Sequence, residues 1–182
     1  MAKGGGAALD FERLARLLRS NEFADGLNPA QREALRYLAR ANRFSNAPGA
    51  LSLYLGATKG TVSQTLSALE RKGFIAKSER PGERRSVALE LTEQGRAALS
   101  GDPWTKLGQA IGGLGGKTRR RLAKGLAELL SAELTDGGRP SFGGCRTCRY
   151  HREDGHRCMK FETPLAADEL ELICVAHVAA AK

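Results

Sequence analysis

The cysteines of this 182-residue chain all lie between residues 145 and 174. Their spacing is C-x2-C-x9-C-x15-C, and a C-x2-C pair turns two thiolates toward the same side of the backbone, where both can bind one metal centre. Because the cysteines are confined to one segment, disulfides between them could not cross-link the whole fold. Standing disulfides are also disfavoured because cytosolic reductants keep thiols reduced. The pattern therefore predicts a metal-binding segment over residues 145–182, with four ligands: Cys145, Cys148, Cys158 and Cys174.

Two kinds of metal centre fit four thiolates. Zinc takes them tetrahedrally and would fold the segment as a structural unit, whereas a [4Fe–4S] cluster also takes four cysteines. Zinc ribbons usually contain two C-x2-C pairs, and this chain has one. The arrangement is similar to that of high-potential iron–sulfur proteins, in which a C-x2-C pair precedes two isolated cysteines. We therefore expect a 4Fe-4S cluster, with zinc as the alternative.

Histidines and basic residues lie close to the four cysteines in sequence and could affect metal binding there. His177 follows Cys174 at a spacing that suits zinc, and His151 and His156 lie between the second and third cysteines. We interpret these histidines as loop or surface residues, and the sequence leaves open whether one of them is a ligand. Basic residues interleave with the cysteines and would offset the negative charge of a four-thiolate centre: Arg146, Arg149, Arg152, Arg157 and Lys160.

A second candidate site lies on the stretch "TKGTVSQTLSALERKG", residues 58–73. Val62, Leu66 and Leu69 recur at helical spacing, so one face of this helix should pack inward. The opposite face is small and polar, and it carries no acid before Glu70. Such a face can reach base edges in the major groove of DNA.

The elements around that helix predict a winged helix-turn-helix, mainly α with a small β-wing. Helical periodicity covers residues 9–20, the stretch "LNPAQREALRYLARAN", and residues 46–58. After Gly73 the apolar period changes to two, so "FIAKSER" and "SVALELT" should pair as a hairpin joined by "PGERR". Helix resumes over residues 91–116, with an interruption near Pro103, and over residues 117–134.

The motifs "TVSQTLSALERKGFI", "SERPGERR" and "LTEQGR" resemble those of the MarR family of winged-helix transcriptional regulators, over residues 10–135. The resemblance implies a homodimer that joins through its N- and C-terminal helices and reads a pseudo-palindromic operator. It maps the recognition helix onto residues 58–72 and the wing onto residues 77–86. The DNA-binding residues that follow from the helix face and this resemblance are Thr58, Lys59, Thr61, Ser63, Gln64, Thr65, Ser67, Arg71, Arg80, Arg84 and Arg85.

Composition agrees with these predictions. A net charge of +9 favours polyanionic partners such as double-stranded DNA. No apolar run approaches the roughly 20 residues of a membrane helix, so we expect a cytoplasmic protein. No general-base, nucleophile or phosphate-loop motif is found, which predicts that the chain is not an enzyme. The expected organisation is a disordered segment 1–8, the winged-helix and dimerisation domain 9–135, a linker 136–144 and the metal-binding tail 145–182.

The sequence thus predicts a repressor whose operator affinity is set by a cluster that senses redox state or iron. In this interpretation the tail lies beside the dimer interface, and its reorganisation moves helices 9–20 and 117–134. The alternative is the same regulator with a structural zinc and a small organic effector. A third and less favoured interpretation is an iron–sulfur electron carrier or enzyme on a winged-helix scaffold.

Overall fold

The computed structural model describes residues 5–20, 26–80 and 83–180, without the side chains of Arg80 and of residues 83–86. Helices make up most of this part of the chain, and two small antiparallel sheets complete it. The helices are α1 (Gly5–Ser20), α2 (Pro29–Leu38), α3 (Pro48–Leu55), α4 (Lys59–Arg71), α5 (Glu93–Ala97), α6 (Pro103–Gly112) and α7 (Gly116–Asp136). The strands are β1 (Ile75–Arg80), β2 (Glu83–Leu91), β3 (His151–Arg152), β4 (Arg157–Cys158) and β5 (Thr163–Pro164).

Helices α2, α3 and α4 pack around one core, as the apolar periodicity predicts. The start of α2 is fixed by Asn28, whose side chain accepts a hydrogen bond from the backbone N–H of Gln31 at 2.8 Å. The side chain of Gln31 in turn accepts from the Asn28 N–H at 3.2 Å, which completes a reciprocal cap. Leu35, Leu51 and Leu66, one from each helix, are buried in the shared core. This packing fixes α4 with its apolar face inward.

The wing consists of β1 and β2, which pair antiparallel with Ile75 opposite Leu91. The second strand begins at Glu83, three residues before its predicted start, and it includes Arg84 and Arg85 in its backbone. These two arginines were expected at the hairpin tip, and their backbone lies next to it, in an irregular part of β2 between the pairs Arg80–Glu83 and Glu79–Val87. Their side chains, and that of Arg80, lie outside the described part of the structure, so their predicted DNA contacts stay predictions.

The long helices α1, α6 and α7 hold no buried side chain. Helix α1 starts at Gly5, so residues 5–8, which the composition assigned to a disordered segment, are helical. The two alanines that follow the glycines favour helix and extend the amphipathic pattern backward by one turn. Residues 1–4 lie outside the described residues.

A buried ion pair joins the start of α6 to α2. Asp102 is fully buried, and its side chain accepts hydrogen bonds from the backbone N–H groups of Trp104 and Thr105 at the start of α6. Arg36 of α2 donates to the same carboxylate at 3.0 Å. A cap that is also half of an ion pair fixes both the start of α6 and its position against α2.

The segment predicted as a linker, residues 136–144, contains a core residue. Phe142 is only 8% exposed, and its ring packs edge-on against Tyr54 of α3 at 5.1 Å and against Tyr37 of α2 at 6.2 Å between ring centroids. Glycines on both sides of Phe142 give the segment a linker-like composition, yet burial of one large aromatic side chain is sufficient to anchor it. The first residue of the predicted linker, Asp136, still belongs to α7.

The cysteine-containing tail docks on the turn between α2 and α3. Ala41 and Ile173 form a parallel bridge, in which the Ile173 N–H donates to the Arg40 carbonyl at 2.8 Å. Arg43 donates to the Pro164 carbonyl at 2.6 Å and pairs with Glu169 at 3.3 Å. The tail therefore packs on the helix-turn-helix, whereas the sequence interpretation placed it beside the long helices α1 and α7.

Candidate functional site

Local hydrogen bonds fix the N-terminal turn of α4. Thr58 is the N-cap, and its hydroxyl oxygen accepts from the backbone N–H of Thr61 at 3.2 Å and lies 2.9 Å from the Thr61 hydroxyl. The Thr65 hydroxyl donates to the Thr61 carbonyl at 3.0 Å, within the helix. These threonines therefore serve the helix itself in addition to any contact with a ligand.

The face of α4 opposite the core is exposed. Val62, Leu66 and Leu69 are at most 2% exposed, which fixes the rotation of the helix about its axis. Thr65, at the edge of the apolar stripe, is half-buried. The other α4 residues that the sequence selects for DNA binding are exposed: Thr58, Lys59, Thr61, Ser63, Gln64, Ser67 and Arg71. A small, polar and protruding helix face of this kind fits the major groove of B-form DNA.

The four cysteines line one cavity between the tail and the α2–α3 turn. Cys145, Cys158 and Cys174 are buried and Cys148 is half-buried, and none of the four forms a disulfide with another described cysteine. The cavity contains about 330 Å³ of empty space, counting its open side, and the rest of its wall includes Phe44, Tyr150, Phe161 and Leu165. Across residues 5–20, 26–80 and 83–180, no three His, Cys, Asp or Glu side chains form a group that could hold one metal ion. The metal centre stays a prediction.

Two tight turns bring the thiols to this cavity. The backbone N–H of Cys148 donates to the Cys145 carbonyl at 3.0 Å, and the N–H of His177 donates to the Cys174 carbonyl at 3.1 Å. The Cys174 N–H also donates to the Gly143 carbonyl at 3.1 Å, which ties the second turn to the chain just before the first. The cavity thus has a backbone frame of its own.

The thiols affect one another electrostatically. Burial, and to a smaller extent the neighbouring Cys174, Cys158 and Cys148, together raise the pKa of Cys145 to about 11, because a thiolate there would be desolvated and would meet other sulfurs. In the metal-free chain Cys145 is therefore a neutral thiol near pH 7. Because a metal binds thiolates, loading the cavity would release this proton.

The histidines have separate roles. His177 is 8% exposed, and its Nδ1 and Nε2 lie 2.5 Å from the Ser141 hydroxyl and 3.0 Å from the Thr147 hydroxyl. Burial lowers the pKa of His177, which favours the neutral ring that these two hydroxyls hold. His151 belongs to the cavity wall, and its Nε2 lies 3.3 Å from Nδ1 of His156. His177 therefore packs beside the turn at Cys174–His177, where both of its ring nitrogens are hydrogen-bonded to hydroxyl groups.

One residue of the cavity wall was not selected from the sequence. Asn42 lies in the α2–α3 turn, is 1% exposed and lines the same cavity as the four cysteines. Its side-chain oxygen accepts from the Phe44 N–H at 3.1 Å and from the Ser45 hydroxyl at 2.9 Å. Its side-chain nitrogen is buried and has no hydrogen-bond partner among the described residues. A single Asn in a predicted loop carries no sequence signal of such a role.

Comparisons with known proteins address the winged-helix part. Residues 25–86 match the model of the MarR family, and this match ends before the cysteines. The transcriptional repressor MprA of Escherichia coli (strain K12) is 33% identical over 76 residues, which are 42% of this chain and 43% of that protein. The chain thus matches less than half the length of this relative.

Solved structures share the fold. FabT of Streptococcus pneumoniae, determined in complex with DNA, superposes with a TM-score of 0.55 at 24% identity, over 73% of this chain and 95% of its own. MepR, a transcription regulator of the Staphylococcus aureus multidrug efflux pump MepA, gives a TM-score of 0.53 at 17% identity, over 72% of this chain and 98% of its own.

The Escherichia coli relative is named as a transcriptional repressor, which agrees with the prediction of a protein that is not an enzyme. In the residues that the structure describes, none of the helices has the length and apolarity to cross a bilayer. From the family match over residues 25–86 and the fold shared over almost three quarters of the chain, this protein has a winged-helix fold of the MarR type.

Proposed function

We propose that this chain is a DNA-binding transcriptional repressor that binds a pseudo-palindromic operator as a homodimer. The observation that carries the proposal is the exposed polar face of α4, held outward by three buried apolar residues. Ser63 and Gln64 lie on this face and are the residues we assign to base edges, while Lys59 and Arg71 are assigned to phosphates. The name of the Escherichia coli relative supports the assignment as a repressor.

The long helices support the homodimer. They carry large apolar side chains that are exposed in the single chain, and a face of this size on a soluble protein marks an interaction surface. A two-fold axis through these helices would place two α4 helices on half-sites one helical turn apart. The exposed apolar residues of α1 and α7 are Leu9, Phe11, Leu14, Leu17, Leu126, Leu129 and Leu130.

DNA binding is tested with an operator selected in vitro from random duplexes. Replacing Gln64 by Ala should weaken operator binding by about 5- to 150-fold, the factor equivalent to about 1–3 kcal/mol for one base contact. Binding to unrelated duplexes should stay unchanged. Gln94→Ala, which truncates an exposed glutamine on α5, is the matched control. Equal operator affinity of the Gln64→Ala variant and the parent chain would refute this role of α4.

We further propose that Cys145, Cys148, Cys158 and Cys174 hold a 4Fe-4S cluster, and that its oxidation or loss changes operator affinity. The fit rests on all four cysteines lining one cavity, framed by two backbone turns and walled by aromatic and apolar side chains. When bound, a cluster would supply a one-electron redox change beside the helix-turn-helix. The chain itself supplies four thiols, a largely buried setting and surrounding basic residues.

Zinc is the second candidate for this cavity. The turns at Cys145–Cys148 and Cys174–His177 share the same backbone hydrogen bond, and a set of four cysteines is typical of structural zinc sites. In that case zinc would hold the tail in place, and a small organic molecule would be the effector.

One purification distinguishes the two centres. The protein is prepared without air, its visible spectrum is recorded, and iron, sulfide and zinc are assayed. A brown sample that contains iron and sulfide supports the cluster, whereas a colourless sample with one zinc per chain supports the alternative. Operator affinity is then measured for the loaded and metal-free forms. Equal affinity of the two forms would refute regulation by the centre and leave the metal a structural role only.

A further inference from the structure

The side-chain amide of Asn42 is unusual because its two ends differ in their hydrogen bonding. The oxygen accepts two hydrogen bonds, from the Phe44 N–H and the Ser45 hydroxyl, and this fixes which end of the amide is which. The nitrogen is buried with no partner in the described part of the chain. Burying a donor without an acceptor destabilises the folded chain, so a conformation that leaves one requires an explanation.

The cavity offers an explanation. Asn42 lines it together with the four cysteines, whose sulfur atoms are candidate acceptors in the same cavity. A neutral thiol is a weak acceptor. A sulfur bound to a metal carries negative charge and accepts hydrogen bonds more strongly. A metal-bound sulfur in this cavity would therefore be a suitable partner for the Asn42 nitrogen.

We propose that the Asn42 side-chain nitrogen donates a hydrogen bond to a sulfur of the metal centre, and that Asn42 thereby carries the state of the centre into the helix-turn-helix. The inference rests on the proposed centre and holds for either metal, since the acceptor is a metal-bound sulfur in both cases. Donors to such sulfurs orient the ligands and tune the centre. Asn42 is a positioning residue in this scheme, because it does not bind the metal itself.

The backbone around Asn42 connects the cavity to the start of α3 and to the wing. The Asn42 N–H donates to the Ile173 carbonyl at 3.0 Å, and the Val175 N–H donates to the Ser45 hydroxyl at 2.8 Å. These two bonds hold the residues on either side of Cys174. The same turn reaches the wing, since the Asn46 carbonyl accepts from the Leu89 N–H of β2 at 2.7 Å. A shift of Asn42 therefore acts on the start of α3 and on the base of the wing together.

Replacing Asn42 by Asp removes the side-chain N–H donor and keeps the size and shape of the side chain. The new carboxylate keeps an oxygen for the Phe44 N–H and the Ser45 hydroxyl, but it presents a second oxygen where the amide donor stood. Loss of a residue that supports metal ligands typically lowers metal affinity by about 10- to 100-fold. Asn28→Asp is the matched control, because Asn28 caps α2 and Asp serves equally well there.

The full-length chain and both variants are loaded anaerobically with iron and sulfide, and in a second arm with zinc. Metal affinity is measured against a chelator, and operator affinity is compared for loaded and metal-free forms. We expect Asn42→Asp to bind the metal about 10- to 100-fold more weakly, and at saturating metal to show a smaller change in operator affinity. Asn28→Asp should match the parent chain in both measurements.

The outcomes distinguish this inference from the proposed function. A parent chain that binds neither metal refutes the centre and the inference together. A parent chain that binds metal, with an Asn42→Asp variant equal to it in metal affinity and operator response, refutes only the inference. Should the variant fail to fold, the zinc-loaded parent chain decides the question by NMR. The Asn42 side-chain N–H resonance should shift and become protected from exchange on loading, and an unchanged resonance overturns the proposal.

Discussion

Replacing Phe142 by Ala tests whether the tail and the winged helix form one cooperative unit. The ring is 8% exposed and packs on two tyrosines of α2 and α3. Truncation of a buried Phe costs about 3–5 kcal/mol, within which each aromatic pair accounts for about 0.5–1.5 kcal/mol. With a urea slope of about 2 kcal/mol per M, the unfolding midpoint should fall by about 1.5–2.5 M.

The assay is urea unfolding of the metal-free chain, followed by far-ultraviolet circular dichroism and by tyrosine fluorescence. Both signals should fall together at the lower midpoint, because Phe142 links the tail to Tyr37 and Tyr54. The matched control is Phe161→Ala in the same tail, where the ring is 39% exposed and stacks only on Phe44 among the aromatic contacts of the described residues. We expect that variant to lose about 1 kcal/mol. A Phe142→Ala chain whose main transition is unmoved would refute the one-unit interpretation.

Three further changes test the tail and the long helices. Gly143→Ala should destabilise the chain by about 1–3 kcal/mol, because a Cβ there would stand 2.6 Å from the His177 ring; thermal unfolding checks this, with Gly49→Ala, which meets open space, as the control. The metal-free chain should lose stability as pH rises from about 9 toward 11, because its folded state holds the Cys145 proton more tightly than the unfolded state does. The urea midpoint is measured against pH for the parent chain and for Cys145→Ser. The same pH dependence in both would contradict the assignment of this effect to Cys145. Leu129→Lys, at a side chain that is 67% exposed in the single chain, should shift the proposed dimer toward monomer in sedimentation without lowering helix content, and an unchanged sedimentation coefficient would place the interface elsewhere.

The winged helix is predictable because each of its elements carries a local signal. Asn28 before Pro29 marks the start of α2, and Thr58 marks the start of α4. Gly56 and Gly73 take the left-handed conformation that ends a helix. The rotation of α4 follows from its apolar period, so its exposed face is found from sequence alone.

The docking of the tail is not predictable in the same way. Phe142 is an isolated apolar residue and Ile173 belongs to a short apolar run without a period, and their partners lie far away in sequence. The spacing of the cysteines indicates a shared site, and the structure does bring all four to one cavity. It does not indicate which surface closes that cavity. The contribution of Asn42 depends on this closure, so it could be found only from the three-dimensional arrangement.

The hydrogen bond from Val175 to Ser45 spans 130 positions of the chain. A ribosome that adds about 5–20 residues per second needs about 6–26 s to cover that distance. Within this interval, after β2 ends at Leu91 and before Phe142 is added, the nascent winged helix exists with the rings of Tyr37 and Tyr54 not yet covered by Phe142. The Asn42 N–H lacks its acceptor until Ile173 is added. A nascent chain therefore passes through a stage in which the winged helix is complete and the cysteine-containing tail has not yet been made.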